Sequence, residues 1–458
     1  MNDARDRVVQ FVGRTWDTIL TNAQRGLDQV KSPLYRNAFY IMLTSLVGNG
    51  LGLFFWVVAY RFYKTSDAGY AIAMVNTLTF LAGVTSLGLP IALIRFLPET
   101  DDPPALINTS LTIAAVLSAI AGLVFALGLR TWASTLVVVF GRPEYIPIIV
   151  LTAVAYALGP ILDNTAIAAR RADLYFWRVM IFALTKIPLP VVFALWFGNV
   201  LGGTLGIYMS WSIAFGVSVL VAGFVFLRKV IPGYRPSPRF SRRRLRPMVK
   251  FSLGNWVATV IGSAGSLLLP IIIISTLRSL PAESTAVFYA AGVVAGILYV
   301  IPAATMTSLY AEASQRGAER RSDERRAILL SIALLAPSIV LMWIFANRLL
   351  NLLFDLDGYA DLGTLPLRIL SLSSIPIFLN SVYGTRVRVR KEIVPLIVSA
   401  AIVSFVTLPF GYLFLVWYGL PGLAAAVVLG QAMTTPYLYF VAGKPMEPEP
   451  IEPVPSPP

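Results

Sequence analysis

Apolar runs of roughly 20–27 residues alternate with short polar connections along almost the whole chain. Twelve can be read, at about 36–60, 68–94, 106–128, 145–169, 176–198, 201–227, 251–276, 285–310, 327–346, 362–385, 393–417 and 420–442. About 20 helical residues, each rising 1.5 Å, cross a hydrocarbon core. The runs are continuously apolar and lack the period-two alternation of barrel strands, so the pattern predicts helices. The expected fold class is an all-α polytopic membrane protein with about twelve transmembrane helices.

The segments outside these runs divide the chain. Over residues 1–33, Val8, Val12, Trp16, Leu20, Ala23, Leu27 and Val30 recur every three or four positions, with Arg7, Arg14, Asp17, Arg25 and Asp28 between them. That spacing predicts an amphipathic helix lying on the cytoplasmic surface, and no compact apolar core with a cleavage site marks it as a signal peptide. Residues 229–250 are basic, carry prolines and lack apolar periodicity, as a cytoplasmic linker would. The linker separates a lobe of six spans over 34–228 from a second over 251–443, and residues 444–458 form a Pro-rich tail expected to be disordered. The halves are weakly alike: Arg36 and Lys250 open their first spans, and Pro90 and Pro302 lie in their second. An even number of spans per half makes this a parallel repeat, related by a pseudo-two-fold axis along the membrane normal.

Charge then orients the bundle. Of 37 Lys and Arg residues, 29 fall in the N-terminal segment, the even-numbered connections and the C-terminal end; six fall in the odd-numbered connections. The other two, Lys186 and Arg368, lie inside spans. Basic residues resist translocation, so both termini are expected in the cytoplasm and the protein in the cell membrane. The net charge of +14 sits mainly in those loops, where it serves topology and attracts anionic lipid headgroups rather than nucleic acid. With 57% apolar and 13% charged residues, the chain has too few charges to cover a water-soluble globule. Aromatic clusters at span ends read as interfacial anchors: Phe54, Phe55, Trp56, Tyr60, Phe62 and Tyr63, then Trp196 with Phe197, Trp417 with Tyr418, and Phe176 with Trp177.

Little here supports catalysis. Zero Cys and zero His remove thiolate chemistry, the usual proton relay near neutral pH and the commonest metal ligand. No P-loop, GxSxG, HExxH or CxxC pattern occurs. Asp101 with Asp102, and Asp355 with Asp357 and Asp361, lie on opposite sides of the bundle and cannot converge on a metal, so they read as solvated loop charges. No cofactor is implied. A chain that is nearly all membrane helix, with minimal outer loops and two similar halves, is most simply a transporter and not an enzyme.

The stretch from Pro33 to Glu99 resembles the opening helices of polysaccharide exporters, the Wzx-like flippases of the multidrug/oligosaccharidyl-lipid/polysaccharide (MOP) exporter superfamily. The resemblance rests on a short outer loop with Thr65-Ser66-Asp67-Ala68-Gly69-Tyr70, then Gly88-Leu89-Pro90 and Ile94-Arg95-Phe96-Leu97-Pro98-Glu99. It implies two six-helix lobes around a central cavity, alternating access, and a polyprenyl-pyrophosphate-linked oligosaccharide as cargo. The implied partners are that lipid-linked anionic glycan, anionic membrane lipids, and a glycan polymerase or glycosyltransferases, with a monomer favoured. A cation-coupled multidrug exporter of the same superfamily is the alternative, and a non-transporting scaffold for glycan assembly a third reading.

Ionisable residues within spans are the candidate substrate site, because a charge at the bilayer centre costs at least about 2.5–3.5 kcal/mol and should face a cavity or a partner. Lys186 lies mid-span beside Pro188 and Pro190, which leave carbonyls without helix partners. Pyrophosphate binding there stands against a structural bridge to Asp163. Arg368, near the outer end of the tenth span, offers a planar fork suited to phosphate. Arg95, Arg36 and Arg178 sit at the inner mouth, where a ring of cations would attract an anionic headgroup. Asp163, the one carboxylate deep in a span, is the candidate for carrying a coupling ion.

Overall fold

The computed structural model describes residues 33–198, 203–313, 320–390, 392 and 394–442. The C-terminal tail, and all but the last residue of the expected N-terminal amphipathic helix, lie outside them. The described residues are helical throughout with no strand. Ten helices are long and apolar enough to cross a membrane, or eleven if one bent pair counts as a single span.

Helix α1 (Pro33–Phe62) and helix α2 (Thr65–Thr85) form the first hairpin. The second span then breaks, because Leu87 and Gly88 take left-handed φ values of 49° and 70°. It restarts as α3 (Leu89–Phe96), with Pro90 in its first turn where the missing N–H is not needed. α4 (Pro103–Leu127) begins at Asp102, whose carboxylate accepts from the Ala105 N–H at 3.1 Å. Short turns lead to α5 (Ile146–Ala168), then α6 (Ala172–Lys186) and α7 (Pro188–Trp196), separated at Pro188. α8 (Thr204–Val221) runs into a wider turn over Ala222–Phe226, where the Leu227 N–H bonds back five residues to the Ala222 carbonyl.

In the second half, α9 (Arg242–Leu267) and α10 (Leu269–Thr276) form a span bent by 43°. α11 (Pro281–Ala313), α12 (Arg320–Phe354), α13 (Ala360–Leu372) and α14 (Ser374–Val389) follow. α15 covers 49 residues, Val394–Ala442, and reverses at Gly419, whose φ of 65° suits glycine. Its limbs lie against each other so closely that a Cβ on Gly422 would sit 2.2 Å from the Phe414 carbonyl oxygen. The eleventh and twelfth expected runs are thus present as the two antiparallel limbs on either side of Gly419.

The halves are not exact copies, since α11 passes through Pro302 unbroken whereas the matching span splits at Gly88. The linker is also shorter than expected, because Arg242 to Lys250 form the first turns of α9. The remaining strap is pinned to α4. The buried Tyr234 hydroxyl donates to Asn108 Oδ1 at 2.6 Å, and Asn108 Nδ2 donates to the Arg235 carbonyl at 3.2 Å.

Several helices borrow their N-caps from neighbours. The Asn37 side chain accepts from the Ala172 N–H at 2.8 Å and caps α6. Asp67 accepts from the Thr204 N–H at 2.9 Å and from its hydroxyl at 2.8 Å, capping α8. In hydrocarbon an unsatisfied N–H costs several kcal/mol, so a side chain from a neighbouring helix stands in where no local cap exists.

The bundle has a basic side, which carries the basic loops, and a far side opposite it. On the basic side α9 crosses the α2–α3 break. Ser252 Oγ donates to the Leu87 carbonyl at 3.0 Å, Trp256 Nε1 to the Val84 carbonyl at 3.0 Å, and Arg244 bridges to Asp102 at 3.0 Å. A Cβ on Gly88 would lie 2.8 Å from Ser252 Cβ, so Gly88 serves both the turn and the close approach. On the far side α1 and α2 meet α11 and α12. Tyr60 donates to the Ala286 carbonyl at 2.9 Å, and Trp56 and Tyr289 rings lie 5.2 Å apart. Phe55, Trp56, Tyr60 and Tyr63 are thus buried core residues, which corrects their reading as interfacial anchors. Phe54, Phe62, Trp177, Trp196, Phe197, Trp417 and Tyr418 are exposed, as anchoring requires.

Candidate functional site

The fifth span breaks at Lys186. α6 ends there and α7 begins two residues on, at Pro188. The side chain is 3% exposed. Its ammonium lies 4.1 Å from the Trp211 ring of α8, 4.4 Å from Phe182 one turn back on α6, and 5.3 Å from Phe55 of α1. Three rings thus present their negative faces to a desolvated cation, an arrangement worth about 2 kcal/mol or more. Lys186 has no carboxylate or hydrogen-bond partner among the described residues.

The expected alternative, a bridge from Lys186 to Asp163, is not formed. Asp163 of α5 is held by Arg178 of α6 in a forked pair. Arg178 Nη2 donates to Asp163 Oδ2 at 2.7 Å, and its Nε donates to Oδ1. Arg178 Nη1 also donates to Ser218 Oγ at 3.2 Å, and the guanidinium stacks 5.3 Å from the Phe215 ring. The pair borders a cavity of about 10 Å³ lined also by Tyr175 and Phe226, beside the wide turn of α8. That volume suits about one water. Arg178 is therefore buried in an ion pair and does not project from the inner mouth, and Asp163 already carries a cation.

The second buried carboxylate is likewise paired. Glu324 of α12 accepts from Arg386 Nε of α14 at 2.6 Å, with side chains 4% and 12% exposed. Arg368 is half-buried, and its Nε donates to the Trp343 carbonyl at 2.9 Å while Trp343 Nε1 donates to the Arg368 carbonyl at 3.0 Å. This exchange uses only Nε and leaves the two Nη groups of the fork. Arg36 and Arg95 are exposed on the basic side, Arg95 lying 4.6 Å from the Phe251 ring. Of the six residues singled out in sequence, the structure joins one pair, Arg178 with Asp163. Asn380 and Gln431 serve interhelical bonding: Asn380 Nδ2 donates to the Gln431 carbonyl at 2.9 Å.

Sequence reasoning missed the ring cage. Phe182 was accessible as the i−4 neighbour of Lys186, but Phe55 and Trp211 come from other helices and carry no local signal.

A family model described as polysaccharide biosynthesis protein matches residues 58–356. The chain belongs to the polysaccharide biosynthesis protein family. The family match runs from the last turn of α1 to the end of α12 and includes Lys186, Phe182 and Trp211, while Phe55 lies just before it. No curated protein sequence matches the chain.

Among solved structures, lipid II flippase MurJ in an inward closed conformation aligns with a TM-score of 0.70 at 14% identity, over 88% of this chain and 87% of that one. An inward-facing multidrug resistance MATE family transporter of the MOP superfamily aligns at 0.63 and 14% identity, covering 86% and 93%. An outward-facing conformation of such a transporter aligns at 0.55 and 15% identity, covering 90% and 95%. This family member therefore has the two-lobed MOP fold and is a multi-pass membrane protein.

Proposed function

We propose that this member of the polysaccharide biosynthesis protein family is a flippase. It moves a polyprenyl-pyrophosphate-linked oligosaccharide from the inner to the outer leaflet of the cell membrane by alternating access, for cell-surface glycan assembly. The carrying observation is the charge balance of the interior. Among the described residues, both buried carboxylates, Asp163 and Glu324, are paired with arginines, while Lys186 is buried without a counter-ion. A buried cation without a counter-ion favours an anionic cargo. The family description and the fold shared with a lipid II flippase support the same reading. A multidrug exporter that binds organic cations would instead need a free carboxylate, and Asp163 is occupied.

In this reading the basic side is cytoplasmic and both termini lie there. Arg36 and Arg95, exposed on that side, meet the pyrophosphate first. Lys186 receives it when the ring cage opens, and the unused Nη groups of Arg368 engage it nearer the outer leaflet. Arg178 acts indirectly, by neutralising Asp163. The partners are the lipid-linked glycan, anionic lipids around the basic loops, and the enzymes that supply or polymerise the glycan.

The test is translocation of a fluorescent polyprenyl-pyrophosphate oligosaccharide in proteoliposomes by the parent and by Lys186→Ala. Transport that collapses in a folded variant supports the reading. Undiminished transport removes Lys186 from the pathway, and efflux of organic cations in place of glycan transport overturns the assignment of cargo.

A further inference from the structure

Helix α2 opens the far side of the N-terminal lobe without a cap of its own. Its N-cap position is Lys64, whose side chain makes no capping bond. The cap comes from the other lobe. Asp357, in the turn between α12 and α13, accepts from the Thr65 N–H at 2.8 Å and from the Thr65 hydroxyl at 2.9 Å through Oδ2. Thr65 is 1% exposed, so its N–H has little access to water while the lobes are together.

The turn that carries Asp357 is held in an unusual shape. Asp355 and Asp357 have φ of 44° and 49°, and Gly358 follows at 85°. Aspartate tolerates this left-handed region better than most residues, though at some cost. Leu356 between them is fully buried and plugs the turn into the core. Beside it the lobes touch at backbone distance, since a Cβ on Gly69 would lie 1.8 Å from the Ala282 carbonyl oxygen. Asp67, two residues into α2, in turn caps α8 through Thr204. One carboxylate of the C-terminal lobe thus terminates a chain of caps running through the N-terminal lobe.

We propose that Asp357 is the latch of a far-side gate: carried by the C-terminal lobe, it caps α2 of the N-terminal lobe and holds the two lobes together on the side away from the basic loops. It is a positioning residue, with no contact to cargo. When the lobes part, water can satisfy the freed Thr65 N–H, so the cap exists only in the closed state and its whole contribution favours that state. The neighbouring pair of Arg61 with Asp355, at 3.5 Å and 46% and 65% exposed, is screened and contributes little. Asp357 itself is solvent-facing, as a loop charge should be, but it is not idle.

The purpose of the latch rests on the alternating-access reading, so its test uses no cargo. The chain has no cysteine, which makes a single introduced thiol a clean reporter. Ala286→Cys places one at a fully buried interlobe position, and Ala153→Cys places one at a fully buried position inside the N-terminal lobe. Each is reacted with a water-soluble maleimide in the full chain in nanodiscs. Losing the cap in Asp357→Gly, which removes the acceptor and tolerates the left-handed φ of 49° at that position, should raise the open population, and with it labelling at position 286, by about threefold to tenfold. Thr65→Ala, which keeps the backbone bond and loses the hydroxyl bond, should give a smaller rise, and Asp355→Gly, the same backbone change in the same turn with no cap to lose, less than twofold. Labelling at position 153 should stay unchanged throughout. An unchanged rate at 286 in both Asp357→Gly and Thr65→Ala overturns the latch, as does an equal rise at 286 and 153, which would make Asp357 a general stabiliser. A latch that behaves as expected in a protein that moves no glycan would sink the flippase reading and leave the gate standing.

Discussion

Replacing Lys186 with methionine should make the protein more stable and less active at once. Methionine keeps the length of the stem and removes the charge. Taking an ammonium out of water costs several kcal/mol even after relaxation. Against this stand the two nearer rings, Trp211 at 4.1 Å and Phe182 at 4.4 Å, each worth about 2 kcal/mol when desolvated. Without a carboxylate the two sides roughly cancel or leave a deficit. A thioether in the same cage forfeits the cation–π attraction, gains sulfur–aromatic contacts of about 0.3–1.5 kcal/mol and pays no charge desolvation. The expected change is a stabilisation of about 1–4 kcal/mol, as for other buried charges replaced by apolar groups of similar volume. An unfolding entropy of about 2.1 cal/mol/K per residue over 458 residues makes 1 kcal/mol worth roughly 1 °C. The melting midpoint in detergent, followed by tryptophan fluorescence at a fixed scan rate, should therefore rise by about 1–4 °C while glycan translocation falls. A lower midpoint would refute the reasoning, because the cage would then stabilise the ammonium on its own account and Lys186 would be structural.

The opposite sign is expected one turn of pairing away. Arg178→Leu leaves Asp163 buried without its partner and should cost about 3–5 kcal/mol, read as a lower melting midpoint that Asp163→Asn in the same chain partly restores. Gly69→Ala would drive a Cβ into the Ala282 carbonyl, so it should hold the far side apart and speed thiol labelling at Ala286→Cys at least as much as loss of the Asp357 cap does. The strap should fray without its anchor: Asn108→Ala removes the bonds to Tyr234 and Arg235, and trypsin should cut after Arg239, which Phe240 follows, several times faster than in the parent. Burial pushes the Tyr234 hydroxyl, in that strap, up to about 12. Its folded value lies above the unfolded one near 10, so its contribution is complete below pH 10 and is lost as pH rises through about 12. An absorbance titration of tyrosinate near 295 nm should find one fewer group ionising near pH 12 in Tyr234→Phe, and a component that ionises near 10 in the parent would contradict the burial.

Much of the architecture follows from the sequence because its causes are local. A run of apolar residues long enough to cross a bilayer must satisfy its own backbone, so helices and their approximate ends are fixed by composition along each stretch. The same holds for the basic and far sides, the broken helix at Pro188, and the bend at Gly88, where glycine and proline act on their immediate neighbours. The Asp102 cap of α4 is equally local.

What the tertiary structure decided is which residues face one another. Asp163 could be matched on paper with Lys186 or with Arg178. The helices α5, α6 and α8 chose Arg178, whose fork meets the carboxylate and Ser218 together, and left Lys186 to Trp211, Phe182 and Phe55. Trp56 and Tyr60 have the composition of interfacial anchors, yet the approach of α11 and α12 buries them. Asp357 and Thr65 stand almost 300 residues apart and meet only because two lobes close over one turn. Helices can be read from the chain because hydrophobicity and backbone hydrogen bonding act within a segment; partners between helices depend on rotation and packing across segments, which no single stretch of sequence contains.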